Sequence, residues 1–225
     1  MSDIQEKTSF GDKINDYIQK NRKGIFICLG LIVVLLAAFI GTLSIRNTIR
    51  TKAIVRVEEL NRRYEELRFD IGEESKTEDT AALLAELKEF GAKRSGYAGL
   101  RARVITAKIH SDKKEWVEAQ QAWADAAKAG AGTYLEPVSF FNAARAAEER
   151  ESAEEALSFY SQCLARAESF PQAARAQFSI GRIEESRNNR EAALEAYRTV
   201  VSRWPADVLW VNLAQNKIAV LQPAQ

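Results

Sequence analysis

The sequence carries one unit three times, at a fixed interval of 37 residues, across residues 99–205. Ala119, Ala156 and Ala193 share that spacing, and so do Trp123, Tyr160 and Tyr197. Lys108, Arg145 and Arg182 recur in step with them, as do the small residues Ala107, Ala144 and Gly181. A period of this length predicts a solenoid of stacked helix pairs, because no single pair can bury its own apolar face. The small residues mark where paired helices cross closely, and the aromatic one turn after each alanine fills the gap beside the crossing. Pro205 stops the last copy, since it lacks an N–H and disfavours a helical residue before it.

The predicted pairs are 99–111 with 115–128, 137–150 with 152–168, and 171–187 with 190–203. Asp207 stands where it can cap a final helix. In that helix Trp210, Leu213, Ala214, Lys217 and Leu221 form a mixed face and the remainder reads as polar, as suits the open end of a solenoid.

Upstream the chain divides into three further segments. Residues 1–23 are polar and charged, with Phe10, Ile14, Tyr17 and Ile18 at helical spacing. They read either as an amphipathic helix at a membrane surface or as an irregular tail. Residues 24–45 hold no charged side chain; as a helix they would reach roughly 33 Å, enough for a hydrocarbon core of about 30 Å. A transmembrane helix is expected, since the run exceeds a signal-peptide core and no small-residue cleavage site closes it. Residues 46–78 read as a helical stem and linker. Its stripe of Val57, Leu60, Tyr64, Leu67 and Ile71 suits packing on the first repeat or a short coiled coil. An acidic break follows over 72–79, then a helix over 80–90 with Gly91 placed to cap it. The repeat domain is expected over 79–225. Basic residues flank the span on both sides, and the Lys20, Arg22 and Lys23 cluster favours a cytoplasmic N-terminus.

Several function classes are excluded or left without support. A net charge of +1 provides no electrostatic footprint for nucleic acid. One histidine, His110, and two separated cysteines, Cys28 and Cys163, make neither a zinc set nor a disulfide framework. No phosphate-binding loop, nucleophile elbow or metalloprotease motif occurs, so neither catalysis nor a cofactor nor a small-molecule substrate is expected. Cys163 reads as a small buried residue.

The third copy, with Ile180, Gly181, Ala193, Leu194, Tyr197 and Pro205, resembles a tetratricopeptide repeat (TPR), although Gln177 and Glu184 depart from its pattern. The resemblance implies an all-α chain: one transmembrane helix, then a TPR-like α-solenoid of antiparallel helix pairs. It further implies that the first helices line a protein-binding groove, displaying Arg101, Val104, Lys108, Phe141, Arg145, Arg175, Phe178 and Arg182. Phe141 and Phe178 are expected to outweigh the basic row, whose members also have acidic neighbours three or four residues on along their own helices. The lysine clamp of chaperone-binding TPR modules is absent, because Val104, Phe141 and Phe178 occupy its first position.

The whole arrangement is similar to the YfgM-like family of ancillary SecYEG translocon subunits, most of all over 84–107 (LAELKEFGAKRSGYAGLRARVITA). That resemblance implies an inner-membrane protein with a periplasmic domain that links translocating proteins to periplasmic chaperones. A TPR adaptor of envelope assembly or cell division, with a different partner, and an enzyme accessory subunit with no role in secretion are the alternatives.

Overall fold

The computed structural model describes residues 10–69 and 73–222. Among them are nine α-helices, one short 3-10 turn and no strand. The chain divides into two compact units, 1–52 and 53–225.

The first unit is the N-terminal part of α1 (Phe10–Phe69), which runs without a break through the apolar stretch. By length and composition this helix can cross a membrane, and its most apolar window buries nothing against the protein. Phe10, Ile14, Tyr17 and Ile18 are exposed on its first turns; residues 1–9, where the polar segment begins, lie outside the described residues.

The second unit starts with the end of α1. Val57, Leu60 and Tyr64 share a core with Leu83 and Leu87 of α2 (Glu73–Lys93) and with Ala102 and Ile105 of α3 (Gly96–Asp112). Val57, Leu60, Tyr64 and Leu67 of the stem stripe therefore pack on the first repeat, and Ile71 lies outside the described residues. The expected break over 72–79 is helical from Glu73, and α2 runs past Gly91 instead of ending there. Gly91 is buried, with the position of a Cβ lying 3.6 Å from both Ala102 Cβ and the Gly99 carbonyl oxygen. A Cβ there would make only ordinary contacts, so neither capping nor tight approach requires that glycine.

Three helix pairs follow: α3 with α4 (Trp116–Ala129), α5 (Leu135–Glu149) with α6 (Ala153–Leu164), and α7 (Ala173–Ser186) with α8 (Arg190–Arg203). A last helix, α9 (Val208–Leu221), packs on α7 and α8. The second pair ends sooner than its sequence suggests: after Leu164 a 3-10 turn, Ala167–Ser169, swings Phe170 back into the core beside Phe141 and Tyr160. Asp207 occupies the cap position of α9 without a side-chain capping bond.

The turns inside the pairs repeat as faithfully as the helices. Lys114, Glu151 and Asn188, 37 residues apart, are left-handed, with φ of 58°, 58° and 61°. The next residue in each case, Glu115, Ser152 or Asn189, donates its N–H to the carbonyl five residues back, each at 2.9 Å. This is the hydrogen-bond closure of a helix end that glycine usually provides, achieved here with a lysine, a glutamate and an asparagine.

At the crossings Ala119, Ala156 and Ala193 are fully buried. Gly181 is the tightest point: a Cβ there would lie 2.6 Å from Tyr197 Cε1. Beside each crossing the second-helix aromatic bonds back to a residue 12 positions earlier. Trp123 Nε1 donates to Ser111 Oγ at 3.0 Å, the Tyr160 hydroxyl to Glu148 at 2.5 Å, and the Tyr197 hydroxyl to Glu185 at 2.7 Å. Both glutamates also hold a cation from the following unit: Arg182 for Glu148, and Lys217 of α9 for Glu185, the latter at 2.9 Å. Each carboxylate thus ties its own tyrosine to the neighbouring unit.

These carboxylates make stability depend on pH. Burial opposes ionisation of Glu185, but hydrogen bonds from Lys217 and Tyr197 outweigh it and hold its pKa below the usual range. Glu115 is lowered chiefly by the Lys113 hydrogen bond, against burial and with help from His110. A carboxyl with a lower pKa folded than unfolded binds fewer protons in the native state as pH falls. Its stabilisation is complete above about pH 4.3, the ordinary glutamate value, and is lost as pH falls through the folded value. The urea midpoint should therefore hold from pH 7 to 5 and drop between pH 4 and 3, less so in Glu185→Gln. A flat profile down to pH 3 would show that these bonds do not stabilise the fold.

Candidate functional site

The first helices α3, α5 and α7 supply all eight residues expected to line a groove, and the structure sorts them into three groups. In the first unit Arg101 and Val104 are engaged within the protein, and Lys108 makes only an aromatic contact. Arg101 lies along α1, bonding Asn61 Oδ1 at 3.1 Å and approaching Glu58 at 3.7 Å. The Lys108 ammonium sits 6.0 Å from the Tyr64 ring centroid. Val104 belongs to the core with Leu100, Ala107 and Trp123. The end of α1 covers what the sequence presents as open surface.

Phe141 forms the second group. It is 4% exposed, edge-on to Tyr160 at 5.6 Å and tilted against Phe170 at 5.5 Å. The expectation that it contacts a partner is corrected. The swing of Phe170 into the core roofs this ring, so it packs the second repeat instead of facing outward.

Arg145, Arg175, Phe178 and Arg182 form the third group, around a cavity of 260 Å³ that is also lined by Glu148, Glu149, Tyr160, Ser179 and Trp210. Helix α5 supplies Arg145, one turn before Glu148, and α7 supplies the other three groove residues at spacings of three and four, hence on one face. The four carry different commitments. Arg182 is paired with Glu148. Arg175 has two aromatic faces beside its guanidinium, Phe141 at 5.3 Å and Trp210 at 5.9 Å, and no carboxylate among the described residues. Phe178 tilts against Tyr197 at 5.1 Å and Trp210 at 5.3 Å. Arg145 is exposed and makes no ion pair or hydrogen bond among the described residues. Its expected same-helix partner, Glu148, is drawn away by Tyr160 and Arg182.

Trp210 is the residue that sequence reasoning missed. Its spacing puts it on the inner face of the last helix, which agrees with its packing, but that face also closes the cavity from the α9 side. Nothing in the local spacing of α9 shows that it reaches α7. Elsewhere His110 is buried, with Nδ1 2.6 Å from Glu115 Oε2. Cys163 is also buried, which pushes its thiol up to about 12; a thiol so disposed is chemically quiet.

No known family profile matches the chain. A TPR repeat-containing protein of Treponema pallidum (strain Nichols) is 38% identical over 138 residues, 60% of this chain. The chain spans about 57% of that relative's length. Two crystal structures of Podosopora anserina putative kinesin light chain TPR-like repeats, one of them a point variant, superpose with a TM-score of 0.52. They cover 73% of this chain and 85% and 86% of their own, at 17% identity, which speaks to fold alone. The fold is a TPR-like α-solenoid.

Proposed function

We propose that this chain is a membrane-anchored, non-catalytic TPR scaffold that holds a protein partner at the cavity between its second and third repeats. One observation carries the reading. Arg145 and Arg175 face that cavity in no ion pair among the described residues, beside the aromatic surfaces of Phe178 and Trp210; of its two carboxylates Glu148 is matched by Arg182, and Glu149 pairs with neither arginine. Such a surface suits a polypeptide segment that offers an acidic group next to an apolar one. Hydrogen bonds to charged groups are worth about 1.5–3 kcal/mol, and the aromatic floor adds contact area.

The finer assignment rests on the resemblance of the whole arrangement to YfgM-like proteins. On that reading the N-terminus is cytoplasmic, α1 crosses the inner membrane and the solenoid lies in the periplasm. There it acts as an ancillary subunit of the Sec translocon, passing secreted proteins to periplasmic chaperones. The Lys20, Arg22 and Lys23 cluster before the apolar stretch supports that orientation.

The test is crosslinking in intact membranes from a photoreactive residue at Asn142, about one turn before Arg145 on α5, followed by identification of the captured chains. Translocon subunits and chaperones are expected. Arg145→Ala/Arg175→Ala should lower their recovery about tenfold, the equivalent of one lost charge-assisted contact. Capture of envelope-assembly or division proteins instead would select the alternative adaptor role. Unchanged recovery in the double variant would remove the cavity from the function.

A further inference from the structure

A second cavity, of 690 Å³, opens on the first repeat and falls within the roughly 300–1,000 Å³ of small-ligand pockets. Helices α2 and α4 form its walls and α3 its floor. Arg103, Thr106 and His110 line that floor. Their spacing of three and four makes one stripe of α3. At 3.6 residues per turn this stripe lies roughly opposite Arg101, Val104 and Lys108, so the cavity is separate from the groove expected on the first helices.

Two features of the lining are unmatched within the protein. The first is Thr106, 7% exposed, whose hydroxyl has no hydrogen-bond partner among the described residues. A helical threonine ordinarily bonds the carbonyl three or four residues back, as Thr42, Thr48 and Thr199 do. Thr106 makes no such bond and borders the cavity instead. The second is charge. Lys88 comes from α2 and Arg103 from the floor, Glu118 and Asp125 come from α4, and none of the four is in an ion pair among the described residues. Arg103 bonds only the Gly99 carbonyl, and Asp125 only the Gln121 amide, each at 3.1 Å. Gln120, Arg150 and Glu155, which also line the cavity, are by contrast bonded to one another.

We propose that this cavity binds a short peptide whose two termini are both free. The carboxylate of such a ligand meets Lys88 and Arg103, and its ammonium meets Glu118 and Asp125. Its main-chain amides offer the Thr106 hydroxyl both a donor and an acceptor. Ala92, Val117 and Ala122 add apolar lining for its side chains. A ligand of one charge sign leaves one wall unmatched, which sets aside a purely acidic or purely basic segment. Length selects a peptide over a single amino acid. Two helices that both pack on a third are held apart by about the 8–10 Å of a packed pair or more. A tripeptide, at roughly 3.3–3.6 Å per residue, reaches from one wall to the other; the charges of one amino acid do not.

The experiment is calorimetric titration of the full chain, in lipid nanodiscs, with the tripeptide Ala-Leu-Ala. Binding is expected, weakened about tenfold by N-acetylation and about tenfold by C-amidation. Glu118→Gln/Asp125→Asn should abolish the cost of acetylation and leave that of amidation. Lys88→Gln should shrink the cost of amidation and leave that of acetylation. All three positions are exposed, so these variants should melt with their parent. Thr106→Val should weaken every peptide severalfold. Arg145→Ala/Arg175→Ala should change nothing, which keeps this site distinct from the cavity between the second and third repeats. The proposal is overturned if no heat of binding appears at millimolar peptide, or if the doubly capped peptide or free leucine binds as tightly as Ala-Leu-Ala. It is equally overturned if the cap costs are the same in every variant, or if Thr106→Val binds as its parent does. Loss of binding in Arg145→Ala/Arg175→Ala would put the peptide in the other cavity and overturn it too.

Discussion

Tyr197→Ala is expected to unfold the third repeat well before the rest of the chain. The ring is fully buried at the crossing of α7 and α8, tilted against Phe178 and pressed against Gly181. Removing a buried aromatic costs about 3–5 kcal/mol, and here it also frees Glu185 from one of its two partners. For a unit of this size each kcal/mol is worth about 2–4 °C, so the midpoint should fall by roughly 10 °C. Because repeats stabilise one another only as neighbours, the loss should appear as an early transition in α7–α9. Cys163, in the second repeat, should become reactive only in the later one. Tyr197→Phe separates the two contributions: it keeps the packing and loses only the hydrogen bond, about 0.5–1.5 kcal/mol. Equal effects of the two variants would mean that the hydrogen bond, and not the ring, holds the crossing.

The second large effect is expected at the start of the solenoid unit. Leu60 is fully buried among Tyr64, Leu83, Leu87 and Ile105. Leu60→Asp places a carboxylate there with no partner, a change of about 3–5 kcal/mol. Arg62→Asp on the same helix turns toward solvent and should cost well under 1 kcal/mol. Limited proteolysis of the full chain in membranes reads the difference: the first variant should be cut across 84–110 and the second should not. If both resist, the end of α1 is a detachable stem and not part of the first repeat's core.

Much of this is legible in the sequence because the interval of 37 residues leaves few choices. The helix pairs and the crossing alanines follow directly from it. What escapes depends on distances that local spacing does not encode. Glu148 and Glu185 read as partners of the arginines three residues before them on the same helix. Their actual partners are a tyrosine 12 residues later and a cation from the next unit, because the return of the second helix brings these closer than an exposed same-helix arginine is held. The left-handed turns escape for a different reason: lysine and glutamate give no sign of positive φ, and only comparison of the three copies shows that Lys114 and Glu151 stand where Asn188 stands. Register alone turns Phe141 outward, whereas the fate of a large ring also depends on what folds over it. The chain between Leu164 and Phe170 leaves the helical path and does so. Four of the eight expected residues surround one cavity, joined there by Trp210 from a helix that spacing reserves for closure.

The recurring carboxylate has a consequence for how such a chain can change its length. Glu148 and Glu185 each face backward to a tyrosine of their own unit and forward to a cation of the next. The joints on either side of the third repeat share a plan, although the forward cation is an arginine 34 residues on in one and a lysine 32 residues on in the other. Excision of 37 residues between equivalent positions would bring the forward cation of one joint onto the carboxylate of the other. Duplication of the same stretch would create a further joint with no new residue. A lineage carrying this sequence can gain or lose whole repeats by recombination alone, and point mutation need only adjust the ends.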